Sequence, residues 1–332
     1  MPFAPARTRA ALPVQSKGII MGKESTKNEL GTPVLEQVYG KGVSRAASRQ
    51  RKARLGMTSE GRKPGWGSYV VLVVTILLFV FPLYYAFSIA SQDSPSNQYG
   101  VQALIPGASL LRNLSRAFGE LKFWQALGGT FTVATVVSIS TVFFSTLAGY
   151  SFAKLHFRGR NVLLTCVVAT MTIPQQLSVV PLYIMANKAG LYGNLLAVII
   201  PGLVSAFGVF WMTQYLSDAL PYELIEAARV DGCSMFRTFL SVGLPAAKPA
   251  ASMLFLFTFI GQWTNYFWPM LVLGANKSSM LTTAAAALKG AYFTDYTIVM
   301  SGVILTTFPL ILLFFFAGKQ LVSGIMAGAV KG

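Results

Sequence analysis

Six long apolar runs, separated by polar segments, dominate the chain. A helix that crosses a bilayer needs about 20 mostly apolar residues. Runs of that length lie at Ser68–Ala90, Thr130–Phe152, Val162–Met185, Leu195–Leu216, Ala250–Leu273 and Thr297–Leu321. None contains Asp or Glu. The pattern predicts an all-α membrane protein with six spans. Interior prolines (Pro82, Pro174, Pro181, Pro201, Pro269 and Pro309) are compatible with this, because neighbours or water can satisfy the freed carbonyls. In the third run Pro174, Gln175 and Gln176 interrupt the apolar sequence, which predicts a kink or a break. Ser88-Ile89-Ala90 imitates a signal-peptidase site, but the apolar run before it is too long and the upstream segment too large. An uncleaved anchor is expected. The polar stretch Ser91 to Gly129 is the longest outer loop, with a short surface helix predicted near Leu110–Phe118.

Composition agrees with the pattern. The 332 residues are 54% hydrophobic and only 11% charged, against about 25% charged in soluble domains. The net charge of +16 raises nucleic acid as a partner. However, the charge is concentrated outside the apolar runs: residues 1–67 hold 13 of the 27 Lys and Arg and four of the 11 acids. Nucleic acid is therefore not expected. This basic tail has three aromatics and cannot offset its ordering entropy by burial, so it is predicted to be disordered, in contact with water or with anionic lipid. Residues 68–332 form the predicted membrane domain. With the N-terminus inside, 21 basic residues fall inside and six outside, and without the tail eight inside against six. Charge thus places both termini and the loop 217–249 in the cytoplasm, through the tail above all. Cys166 and Cys233 have neither metal-site nor disulfide spacing and are read as structural.

The loop 217–249 is the most informative polar segment. It contains Leu220-Pro221-Tyr222-Glu223-Leu224-Ile225-Glu226-Ala227-Ala228-Arg229-Val230-Asp231-Gly232-Cys233-Ser234. Pro221 suits the first position of a helix, and Glu223 in the first turn complements the helix dipole. Leu224, Ala227 and Ala228 share one low apolar face. Gly232 suits a left-handed terminator. Ser234 can cap a second short helix with Phe236, Phe239 and Leu240 on its apolar face, which Pro245 is expected to end. The predicted product is two short cytoplasmic helices joined at Gly232. The first fits a groove on a partner, or folds back on its own bundle.

These residues resemble a known motif. Glu226-Ala227-Ala228, then Gly232 and Leu244-Pro245, are similar to the "EAA" loop of ATP-binding-cassette (ABC) importer permeases. Leu220-Pro221 and Asp231-Gly232 resemble the carbohydrate branch, the maltose-type (MalG-like) permeases. Trp263-Thr264-Asn265-Tyr266-Phe267-Trp268-Pro269 is similar to that family's fifth-span pattern, although many members lack the residue corresponding to Thr264. Gly324 to Gly332 matches its C-terminal tail. The resemblance covers Gly67 to Gly332. It implies a six-helix importer permease fold with a cytoplasmic coupling helix and an inward sugar-transport role in the bacterial cytoplasmic membrane. The implied ATPase-coupling residues are Glu223, Glu226, Ala227, Ala228, Asp231 and Gly232, and Lys331 approaches the ATPase. The implied partners are a second permease, an ABC ATPase dimer that holds ATP and magnesium, and an external sugar-binding protein. No cofactor is expected on this chain.

Polar residues within apolar runs mark a route for a substrate. Gln175, Gln262, Asn265 and Trp268 are the candidates: amides pair with sugar hydroxyls and rings cover apolar sugar faces. Hydrogen bonding between helices, and interfacial anchoring of Trp268, are the alternative roles. No phosphate-binding loop occurs. Gly22-Lys23-Glu24 lacks the earlier glycine and the hydroxyl residue, so this chain is not expected to hydrolyse ATP. The single histidine, His156, is read as solvated or lipid-facing. A self-sufficient secondary transporter is the alternative reading. Such proteins commonly carry intramembrane acids and inverted repeats, and neither is visible here.

Overall fold

A computed structural model describes residues 65–93, 103–274, 279–290 and 294–329, with side chains to 315. Most of the predicted tail and Lys331 lie outside the described residues. The chain divides into two compact units, Met1–Val74 and Thr75–Gly332. The elements in order are α1 (Trp66–Ala90), α2 (Leu110–Glu120), α3 (Phe123–Lys154), α4 (Arg160–Met171), a 3-10 turn (Gln175–Ser178), α5 (Val179–Lys188), α6 (Leu196–Gly202) and α7 (Ala206–Ala219). Then follow α8 (Tyr222–Val230), α9 (Met235–Thr238), a π-helical turn (Phe239–Gly243), α10 (Leu244–Thr264), α11 (Phe267–Val272), α12 (Leu281–Ala287) and α13 (Tyr296–Ala329).

Among the described residues five helical segments are long and apolar enough to cross a membrane: α1, α3, Leu196–Ala219, Met235–Thr264 and Tyr296–Phe315. The remaining predicted span, the third, is the bent pair Arg160–Met171 and Gln175–Lys188, whose halves meet at 91°. Its break falls where Pro174 lacks a backbone N–H and drives the preceding residue out of helical geometry. The fourth span also breaks, between Gly202 and Ala206, with Pro201 just before the interruption. The freed carbonyls find donors on α3: Thr141 Oγ1 donates to Gly202 O at 3.1 Å and Ser140 Oγ to Leu203 O at 3.0 Å. Ser205 restarts the helix by accepting from Gly208 N–H at 3.2 Å.

The core of the second unit is α3 packed against α7 and α10. Close approach depends on small residues, as is common between membrane helices. A Cβ at Gly149 would lie 2.6 Å from Met212 Cβ and 2.9 Å from Thr213 N, so only glycine lets α3 and α7 close here. On the predicted outer side, α2 forms at the expected surface position. Its buried Asn113 donates to Ala90 O and Gln92 O, at 2.9 and 2.8 Å, and so caps the end of α1. Arg116 pairs with Asp295 at 3.7 Å, and Asp295 accepts from Thr297 N–H at the start of α13.

The fifth span departs from expectation at both ends. It was expected over Ala250–Leu273, with Pro245 ending a separate short helix. Instead Met235–Thr264 runs as one helical segment of 30 residues. Pro245 follows directly on the π turn, where the ladder is already widened, so its missing N–H does not end the segment. The segment stops at Thr264, where Asn265 turns to extended geometry (ψ 122°), and α11 begins afresh at Phe267.

Candidate functional site

Two features of the second unit stand out, the loop between α7 and α10 and a cavity between the broken helices. In the loop, Pro221 adopts φ −61°, ψ 142° and precedes α8 as its cap rather than occupying the first helical position. At the other end, Gly232 sits at φ +79°. Cys233 N–H donates to Ala228 O at 2.9 Å and Gly232 N–H to Arg229 O at 3.0 Å. This pair of bonds is a Schellman cap, which requires a left-handed residue at the glycine position. Ser234 then caps α9 by accepting from Arg237 N–H at 3.3 Å, and Thr238 Oγ1 donates back to Ser234 O at 3.0 Å.

The apolar face of Leu224, Ala227 and Ala228, expected to meet a partner or the bundle, is divided in the structure. Ile225 is fully buried against residues of α3, α7 and α10, and Ala228 is 9% exposed. Ile225 packs in one cluster with Tyr150, Met212, Leu216, Leu220 and Phe239. Leu224 and Ala227 lie on the outer face with Glu223, Glu226, Asp231 and Val230, which is 87% exposed. The two choices have the same helical spacing, so the sequence alone does not separate them. Lys154 Nζ donates to Ser217 O at 2.9 Å, tying the ends of α3 and α7 together. His156 is exposed, with its ring edge-to-face with Tyr222 at 6.0 Å. Cys166 is exposed and Cys233 half-buried, and both are free thiols.

The cavity, about 500 Å³, lies at the two helix breaks. The bend between α4 and α5 contributes Ile173 and Gln175, and the break before α7 contributes Gly202, Ser205 and Phe207. Thr141 of α3 and Leu254, Phe257, Thr258 and Gln262 of α10 complete most of the wall. Two of the four predicted pathway residues, Gln175 and Gln262, are therefore brought together. The other two stand elsewhere. Asn265 lies half-buried in the break after α10, and its carbonyl accepts from Thr282 Oγ1 at 2.8 Å. Trp268 donates through its indole N–H to Ala197 O at 3.0 Å, fastening α11 to α6. Thr258, one turn before Gln262, was readable from that spacing. Thr141 and Ser205 carried no signal, because hydroxyls are ordinary in membrane helices.

Gln262 Oε1 is buried and has no hydrogen-bond partner among the described residues. A buried acceptor left unpaired costs about 1–3 kcal/mol, so this atom marks where a donor can be held. The cavity thus offers hydroxyls, amides and two phenyl rings, at the ends of α7 and α10 that lie away from the α8 loop.

The chain matches the family model described as "binding-protein-dependent transport system inner membrane component" over residues 142–326. It is similar to the lactose transport system permease protein LacG of Rhizobium radiobacter, 31% identical over 278 residues, which cover 82% of this chain and 99% of that protein. It is also similar to the arabinooligosaccharides transport system permease protein AraQ of Halalkalibacterium halodurans, 31% identical over 228 residues, covering 68% of this chain and 81% of that protein. A solved chain of a bacterial ABC transporter involved in import of the acidic polysaccharide alginate has the same fold. The TM-score is 0.63 at 22% identity, covering 76% of this chain and 94% of that one.

Proposed function

The chain belongs to the family of binding-protein-dependent transport system inner membrane components, and from that premise we propose that it is one permease half of an ABC importer for a sugar or oligosaccharide. Its relatives named for lactose and arabinooligosaccharides support the substrate class. A second permease faces it across the pathway, a binding protein delivers the sugar from outside, and an ATPase dimer holding ATP and magnesium docks inside. Both termini and the α8 loop are cytoplasmic, on the charge bias of the sequence. The outer face of α8, with Glu223, Glu226 and Ala227, meets the ATPase. Asp231 and Gly232 fix the bend, and Ala228 seats the helix on its own bundle. Lys331 approaches the same partner.

One observation carries this reading. α8 is joined at both ends to helices that wall the cavity. Its start follows α7 through Leu220-Pro221, and Ser205 and Phe207 at the far end of α7 line the cavity. Its end passes through Gly232 into Met235–Thr264, whose far end carries Leu254 to Gln262. A push on α8 is therefore delivered to two walls at once. ATP binding at the partner closes the inner side and opens the outer, and hydrolysis resets it.

The test is gentle affinity purification of the chain from native membranes. An ATPase and a second permease in fixed ratio, lost when residues 226–232 are altered, is the expected result. A chain that purifies alone and transports in proteoliposomes without ATP overturns the proposal in favour of a secondary transporter.

A further inference from the structure

Resting on the importer reading, we infer that the transported sugar is uncharged, and that Gln262 accepts a hydrogen bond from one of its hydroxyls. Among the described residues, none of the side chains lining the cavity is ionisable. The polar ones are Thr141, Thr170, Gln175, Ser205, Thr258 and Gln262. Thr141 lies near the middle of α3, so the cavity sits deep in the membrane-spanning region. An anion there needs a counter-charge, because an isolated buried carboxylate or phosphate is far costlier than a buried hydroxyl. This wall offers none.

The hydrogen-bonding inventory bears on the second part of the inference, the hydroxyl. Gln262 Oε1 is an acceptor without a donor. Carboxylate and phosphate oxygens only accept, so a charged group set against that atom leaves it unpaired, and a substrate hydroxyl is needed there whatever the charge elsewhere. A sugar hydroxyl both donates and accepts. It can satisfy Gln262 Oε1 and in turn accept from a threonine or serine of the same wall. Phe207 and Phe257 are partly exposed and line the same space, supplying flat apolar surface for the C–H face of a pyranose. The volume of about 500 Å³ falls within the range of about 300–1,000 Å³ typical of small-molecule sites.

The experiment compares the host lacking this chain with the same host complemented by it. Both are given a mixture of lactose, arabinan oligosaccharides, alginate oligosaccharides and sn-glycerol 3-phosphate, and depletion of each from the medium is followed by mass spectrometry. The expected result is that the solute whose depletion depends on the chain is uncharged. Gln262→Leu should then lower its initial uptake rate about tenfold at limiting concentration, the equivalent of one lost hydrogen bond. Gln262→Asn should recover part of the rate. Co-purification of the ATPase with each variant establishes that the complex still assembles. Chain-dependent depletion of an anionic solute overturns this inference while leaving the importer reading intact. So does full uptake by an assembled Gln262→Leu complex, as regards the role of Gln262. If the chain purifies without an ATPase and depletes a solute without ATP, both readings fall.

Discussion

Replacing Gly232 tests the bend of the coupling loop more directly than replacing any charged residue near it. A Cβ built at Gly232 meets nothing within 4 Å, so substitution there has no packing cost. What remains is conformational. The residue holds φ +79°, and a Cβ in the left-handed region costs roughly 1–2 kcal/mol. That penalty reduces the weight of the bent form about 5- to 30-fold relative to a straightened one. Asn tolerates this region better than other side-chain-bearing residues, and a β-branched residue tolerates it worst. The expected order of coupling is therefore Gly, Asn, Ala, Val. The assay is sugar taken up per ATP hydrolysed in proteoliposomes holding the complete transporter. Gly232→Val should hydrolyse ATP with little uptake, whereas Gly232→Asn should stay within a few-fold of the native chain. Normal uptake by Gly232→Val, or an Asn variant as impaired as Val, would refute the argument that the left-handed cap sets the bend.

Other outcomes follow from side chains with defined partners. Ala228→Phe should overpack a buried position of α8 and cost about 1–3 kcal/mol, lowering the melting temperature of the detergent-solubilised chain. Ala227→Phe, on the exposed face, should leave that temperature unchanged but abolish co-purification of the ATPase. Trp268→Phe removes the hydrogen bond to Ala197 O and should cost about 0.5–1.5 kcal/mol, read as a lower melting temperature. Asn113→Leu leaves two carbonyls at the end of α1 without their donor. It should lower the melting temperature of the detergent-solubilised chain.

The apolar spans were legible because lipid imposes a length and a composition that no soluble fold requires. Breaks were legible only where a residue forbids the helix. Pro174 did so, and the break appears there. Nothing at Leu203 to Ser205 forbids a helix, and that break is held by hydroxyls of α3 that are distant in sequence. Pro245 was misread because the proline rule assumes an unbroken α-helical ladder, and a π turn precedes it. Which apolar face of α8 turns inward was left open by the sequence, because Leu224 with Ala227 and Ile225 with Ala228 have identical spacing. Only the position of Tyr150, Met212 and Phe239 decides between them. Gln175 and Gln262 were visible as amides in apolar surroundings. Their meeting in one cavity depends on the 91° bend, an angle no local pattern specifies.

The distribution of burial around the cavity suggests which wall yields when the loop is pushed. Met235–Thr264 spans about 45 Å at 1.5 Å per residue, and its buried residues from Phe239 to Trp263 anchor it along that length. α7 is likewise held by Gly208, Val209, Met212, Thr213 and Leu216. The opposite wall is different. α4 buries no side chain and α5 only Ala186. In the proposed importer this bent wall is held chiefly by whatever covers it in the assembly, which makes it the natural seat of the second permease. Displacement arriving through α8 then moves two well-anchored walls as one body against a third that is anchored elsewhere. In that reading the cavity opens or closes between the wall that carries Gln175 and the wall that carries Gln262.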